Sequence, residues 1–132
     1  MTKERTFKKE HAKELLSIAK GDIESAEILA KGATTRTENI FFHVEQSIEK
    51  SLKALLVWRQ IPVPLVHELT LILDRIPKDL EVPSASSLID LTQFATVRRY
   101  EEGIADFTNE EIFQSIKLAH EIISWVEKQL RR

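Results

Sequence analysis

All four prolines of this chain (Pro62, Pro64, Pro77 and Pro83) fall in its middle third, and its three glycines (Gly21, Gly32 and Gly103) stand singly. Proline and glycine end or bend regular structure, so the long stretches on either side of the prolines are free to run without interruption. Their apolar residues recur at intervals of three and four, the period of one helical face. Nowhere do apolar and polar residues alternate over the roughly four to eight positions that a half-buried strand needs. The expected fold class is therefore all-α.

Five helices follow from the pattern. Residues 8–31 carry Leu15, Ile18 or Ala19, Ile23 with Ala26, and Leu29 or Ala30 on one side. Gly32 is placed to cap this helix, and Gly21 is an interior weak point where a bend or a close helix contact is expected. The second helix starts between Thr37 and Asn39, whose short side chains can cap free N–H groups, and runs to about Arg59, where Ile61-Pro62-Val63-Pro64 stops it. It is about 35 Å long. Its stripe is Phe41, Val44, Ile48, Leu52, Leu55 and Trp58, thickened by Ile40, Leu56 and Val57. A short third helix over 65–76 ends at Pro77. Ser84 to Ser87 offer caps for a fourth with Leu88, Leu91, Ala95 and Val97 or Arg98 in rhythm. Thr108 with Glu111 three residues on is a capping-box pattern, and Ile112, Ile116, Ala119, Ile123, Val126 and Leu130 supply the stripe of the fifth helix. Lys128, Arg131 and Arg132 suit its C-terminus. The expected architecture is an antiparallel, up-and-down bundle of four to five helices crossing near ~20°, one domain over residues 1–132.

Size and composition narrow the functional classes. A chain of 132 residues that is 42% hydrophobic can bury one core holding roughly two-thirds of its unfolded surface. With no cysteine there are no disulfides or thiolate metal sites, and the four histidines are too dispersed to suggest a metal cluster. The opening MTKERTFKKEHAKELL lacks the apolar centre of a signal peptide, and no apolar run approaches the ~20 residues that span a bilayer. A cytoplasmic protein without a membrane partner is expected. Net charge of −2 gives no general attraction to nucleic acid, so any phosphate site must be local.

Helix two supplies a candidate. His43, Gln46, Lys50 and Lys53 advance by three, four and three, so they share a face over about three turns, and a phosphate would find two ammonium groups there. The same lysines also suit pairing with Glu45, Glu49 or Glu102, which would neutralise the patch, and Glu49 with Lys53 is an i,i+4 pair in the favoured order. His43 beside Phe41 and Phe42 fits a packing role, His67 a loop contact that fixes a turn, and His120 a surface or interface position. Arg98 and Arg99 can meet the carbonyls at a helix end; Arg99 can also clamp a phosphate while Tyr100 stacks on a base. Trp58 and Trp125 lie on apolar stripes and suit core or dimer contacts.

The run Phe42, His43, Gln46, Glu49, Lys50, Lys53 and Ala54 resembles the aromatic-His-x-x-Gln-x-x-Glu-Lys-x-x-Lys-Ala signature of the HEPN family, the higher eukaryotes and prokaryotes nucleotide-binding domains. His67-Glu68-Leu69 resembles that family's Thr-His-x-Leu element, Asp22 with Ala26 its first-helix Asp-x-x-x-Ala, and Arg99-Tyr100 its Arg-Tyr-Pro, with Val66 and Glu101 departing from the pattern. The resemblance covers nearly the whole chain. It implies an all-helical bundle, commonly a homodimer, often encoded beside a minimal nucleotidyltransferase with which it forms a two-protein module of toxin–antitoxin type.

Some members of the family are metal-independent RNase toxins that use an Arg and a His separated by four to six residues, paired across the dimer. The family's usual place for that motif follows the fourth helix, but after Arg98 and Arg99 the next histidine is His120, too distant to fit. Arg5 with His11 and Arg36 with His43 match the spacing elsewhere. Arg5 lies in an expected frayed end, which leaves Arg36 and His43 as the alternative catalytic pair. Three expectations result. The first is a homodimeric subunit that partners a nucleotidyltransferase and binds a nucleotide or phosphate through His43, Gln46, Lys50, Lys53, Arg98, Arg99 and Tyr100, without cofactor or catalysis. The second is an endoribonuclease acting on RNA through Arg36 and His43, and the third a purely structural helical dimer.

Overall fold

The computed structural model describes residues 2–32, 36–100 and 107–132, apart from the side chains of 94–96 and 98–100. Among the described residues it is a bundle of five helices: α1 (His11–Ala30), α2 (Thr37–Trp58), α3 (Leu69–Arg75), α4 (Ala85–Tyr100) and α5 (Asn109–Leu130). The all-α expectation holds, with a small addition. Two short strands, β1 (Glu4–Arg5) and β2 (Val63–Pro64), pair antiparallel, Glu4 opposite Pro64 and Arg5 opposite Val63.

That pairing corrects the expectation of a frayed N-terminus. Leu65 N–H donates to the Lys3 carbonyl at 2.8 Å, the Gln60 side-chain amide donates to the Phe7 carbonyl at 3.0 Å, and Arg75 forms an ion pair with Glu4. The segment is therefore strapped to the loop after α2. A four-residue ladder has no periodicity to detect, so its partner could be known only from the packed chain.

Twelve of the 22 residues of α2 are buried, which makes it the central helix of the bundle. Leu52, Leu55 and Leu56 are fully buried, each stabilising the fold by about 1.5–3 kcal/mol relative to exposure. The whole stripe anticipated on α2 is buried except Trp58, which is half-buried with the Lys9 ammonium 4.2 Å from its ring. On α1 the buried line is Ala12, Leu16, Ala19, Ile23 and Ala26, spaced four, three, four and three. The expected stripe holds at Ala19, Ile23 and Ala26; of its other members Leu15 is partly buried, and Ile18, the alternative to Ala19, is 47% exposed. Three alanines define the seam because small side chains let two helix backbones approach, a contact that apolar bulk alone does not reveal. Gly21 points to open space, so neither the close helix contact nor any steric need explains it.

Two helix ends follow local chemistry, while α2 begins at Thr37 behind Arg36 without the side-chain cap expected there. α2 stops in a Schellman motif: Gln60 N–H reaches the Val57 carbonyl at 3.0 Å and Ile61 N–H the Leu56 carbonyl at 2.9 Å, with Gln60 at φ 57°. The helix thus ends by its own cap before the prolines act. α3 begins only at Leu69, later than its apolar pattern suggests. α5 starts with the anticipated capping box, Thr108 N–H to Glu111 Oε1 at 2.8 Å and Glu111 N–H to Thr108 Oγ1 at 3.1 Å. Phe107 just before it stacks on Phe41 of α2, ring centroids 4.7 Å apart.

α4 is the least embedded of the long helices among the described residues. Leu88 is buried and Leu91 partly so, while Val97 is 37% exposed. Clefts open on both of its flanks, one toward α2 and α3, the other toward α5, with Leu91 on the wall of each.

Candidate functional site

The cleft between α2, α3 and α4 has a volume of about 410 Å³, inside the ~300–1,000 Å³ range of small-molecule sites. Its walls are mostly apolar: Phe41, Phe42, Val44 and Ile48 from α2, Leu69 from α3, Leu88 and Leu91 from α4. Glu45, Gln46, Glu49, His67 and Thr92 supply its polar groups. Phe42, Gln46 and Glu49 sit at i, i+4 and i+7 on α2, so helical geometry alone puts an aromatic ring, an amide and a carboxylate in one file. Phe42 is 52% exposed at the cleft lining.

Glu49 is the most constrained polar group of the site. The residue is only 6% exposed, and a carboxylate taken that far out of water needs charge and hydrogen-bond compensation. Lys53 Nζ supplies the charge at 3.1 Å from Glu49 Oε2. His67 Nδ1 stands 3.1 Å from both carboxylate oxygens. The two partners differ greatly in burial, Lys53 with a side chain 14% exposed and His67 with one 83% exposed. The lysine is thus built into the wall, whereas the imidazole lies over the carboxylate from the solvent side.

The polar row anticipated on α2 divides. Gln46 lines the cleft and Lys53 lies behind it on Glu49. Lys50 turns to α1, its Nζ 2.8 Å from Asp22 Oδ2. His43 sits against the edge of Phe42, and its Nδ1 is buried without a hydrogen-bond partner among the described residues. The row therefore does not present two free ammonium groups: each is matched to a carboxylate. The pairing of Lys53 with Glu49 is the alternative that the i,i+4 spacing offered. The side chains of Arg98, Arg99 and Tyr100 lie outside the described residues, as does Glu102.

The Arg-His spacings do not become contacts within the chain. Arg36 pairs with Glu38 at the start of α2, and His43 stands seven residues further on, about 10 Å along the axis. Arg5 lies over the Phe7 ring, on which His11 stacks while bonding Glu14 at 3.1 Å. His120 bonds Glu27 at 3.1 Å on the surface. Among the described residues no group of three or more metal-ligating side chains comes together.

The signature residues do come together in space. Asp22 meets Lys50, Ala26 is fully buried in the α1 seam, and Glu49 meets both Lys53 and His67. The family profile of the HEPN domain matches residues 12–129. The chain belongs to the HEPN family. No curated protein and no solved structure gives a significant match. Membership carries a nucleotide- or RNA-related function, and within this HEPN domain the residues shared with the signature converge on the α1–α2 ion pair and on the floor of the cleft.

Sequence reasoning did not single out Glu49 and His67 as a unit. Glu49 appeared as a partner for Lys50 or Lys53 and His67 as a turn residue, and the two stood in separate elements of the family signature. One signal was present: Glu49 follows Phe42 and Gln46 on a single face of the central helix. A carboxylate in that setting calls for a partner from another element.

Proposed function

We propose that this HEPN domain is a nucleotide-binding subunit that works with a nucleotidyltransferase and performs no reaction itself. The observation that carries the reading is the cleft, an apolar slot with Phe42 at its lining and Gln46 and Glu49 as hydrogen-bonding groups, Glu49 being covered from the solvent side by His67. Such a slot suits a flat aromatic base, which needs apolar faces for stacking and a few fixed partners for its edge. A phosphate is less well served by Lys50 and Lys53, whose ammonium groups already face Asp22 and Glu49. The Arg-His spacing is missing from its usual place after the fourth helix, where no histidine follows Arg99 before His120, which supports a role without RNA cleavage.

Calorimetric titration of the purified protein with the four ribonucleoside monophosphates and with ATP and GTP tests the binding. Saturable binding is expected, weakened at least about fivefold by Phe42→Ala, since base–aromatic stacking is worth about 1–3 kcal/mol. Co-elution with the product of a neighbouring nucleotidyltransferase gene tests the partnership, and size measurement of the free protein tests the homodimer. RNA cleavage by the wild type that disappears in both Arg36→Ala and His43→Ala would overturn the non-catalytic reading.

A further inference from the structure

The cleft offers an edge as well as a slot, and the edge has a chemical sense. A salt-bridged carboxylate only accepts hydrogen bonds, and its two oxygens are spaced to take two parallel donors. Among the common nucleobases only guanine presents two adjacent donors on its pairing edge, N1–H and the N2 amino group. Adenine and cytosine each set a ring-nitrogen acceptor beside their amino donor, and uracil sets carbonyl oxygens on either side of its single N–H. Placed against Glu49, those acceptors would face carboxylate oxygen.

We propose that the α2–α3–α4 cleft selects guanine, with the Glu49 carboxylate receiving N1–H and N2–H, the Gln46 amide donating to O6, and the Phe42 ring stacking on the base. The assignment rests on the nucleotide-binding reading above and adds the identity of the base. Gln46 lies one turn before Glu49 on the same face, so amide and carboxylate follow one another as O6, N1 and N2 do along the edge of guanine. His67 stands where the edge of the base would lie. Its Nδ1 is 3.1 Å from each oxygen of Glu49, on a ring whose side chain is 83% exposed and can swing into water at little cost. Lys53 remains on Oε2 throughout and compensates the charge.

The test compares GMP, IMP, AMP, CMP and UMP by calorimetry on the full chain. Inosine keeps N1–H and O6 but lacks the N2 amino group, so it isolates one of the two bonds. GMP is expected to bind at least about fivefold more tightly than AMP, CMP or UMP, with IMP between, in line with the discrimination given by bidentate base contacts. Glu49→Gln should remove the preference for GMP over IMP. Because Glu49 is buried and its replacement can unsettle the fold, His67→Ala provides a second variant at an exposed position. Loss of the imidazole should leave the order of the ligands unchanged and bind GMP as well or better. Equal affinity for GMP and AMP, or a preference that survives intact in a folded Glu49→Gln, overturns the guanine assignment while leaving nucleotide binding standing. A tenfold weaker GMP complex in His67→Ala overturns the displaceable imidazole. Binding of none of the five overturns both this assignment and the reading on which it rests.

Discussion

Along α1 the buried seam is Ala12, Leu16, Ala19, Ile23 and Ala26, and it belongs to the same closed unit as α2 and α5. Along α4, Leu88 is buried, Leu91 is half-covered and open space lies on either flank. Both are helices with apolar residues at helical spacing, so amphipathic pattern does not separate them. What separates them is the size of the side chains at the contact and the complementarity of the facing surface. Ser47, Ser51 and Ala54 are fully buried on α2, and the serine hydroxyls are satisfied locally by the Val44 and Ser47 carbonyls at 2.7 Å. α4 instead spans a gap that its leucines do not fill. One part of this bundle is thus packed for stability, while the other leaves room for a guest.

A pair of core truncations tests that division most strongly. Leu52→Ala, in the closed unit, should cost about 2–5 kcal/mol in urea denaturation. Leu91→Ala, on the cleft walls, should cost no more than about 1.5 kcal/mol, because its lining already lacks part of its neighbours. Equal losses would break the distinction. Native-state hydrogen exchange should sharpen it, with amides of α4 opening at clearly lower free energy than those in the middle of α2.

Smaller effects probe the surface of the closed unit. Gly21 is exposed inside α1, and a methyl group added there would meet nothing within 4 Å, so Gly21→Ala should stabilise the protein by about 0.5–1 kcal/mol, read as a rise in urea midpoint. The slightest change belongs to the α1–α5 ion pair of Lys20 with Glu127. The hydrogen bond from Lys20 holds the Glu127 carboxyl below its usual value of 4.5; burial opposes this, and the charges of Lys20 and Arg131 add to it. A lowered folded value means that the stabilisation is complete above about pH 4.5 and is lost as pH falls through the folded value. Lys20→Met should therefore lower the urea midpoint slightly at pH 7 and cease to matter in strong acid. Both side chains are partly exposed, so solvent screening keeps the effect small, and a difference that grew on acidification would rule this linkage out.

Whatever depends on neighbours along the chain could be read from the residues alone. Five helices, the capping box of Thr108 and Glu111, the buried stripe of α2 and the i,i+4 pair of Glu49 and Lys53 are all readable because each rests on residues a few positions apart. The HEPN signature was readable for the same reason, its most specific part being a single run on one helix. The partners of its charges, by contrast, were settled by packing. His67 reaches Glu49 across 18 positions and Lys50 reaches Asp22 across 28, and which carboxylate a lysine meets depends on how the helices rotate about their axes. On α1 the buried line takes Ala19 rather than its neighbour Ile18, together with Leu16 and Ile23. A step of one residue turns a helical face by about 100°, enough to leave Ile18 47% exposed while Ala19 is buried. The candidate site was likewise invisible along the chain, because it is a gap between helices and a gap has no sequence of its own.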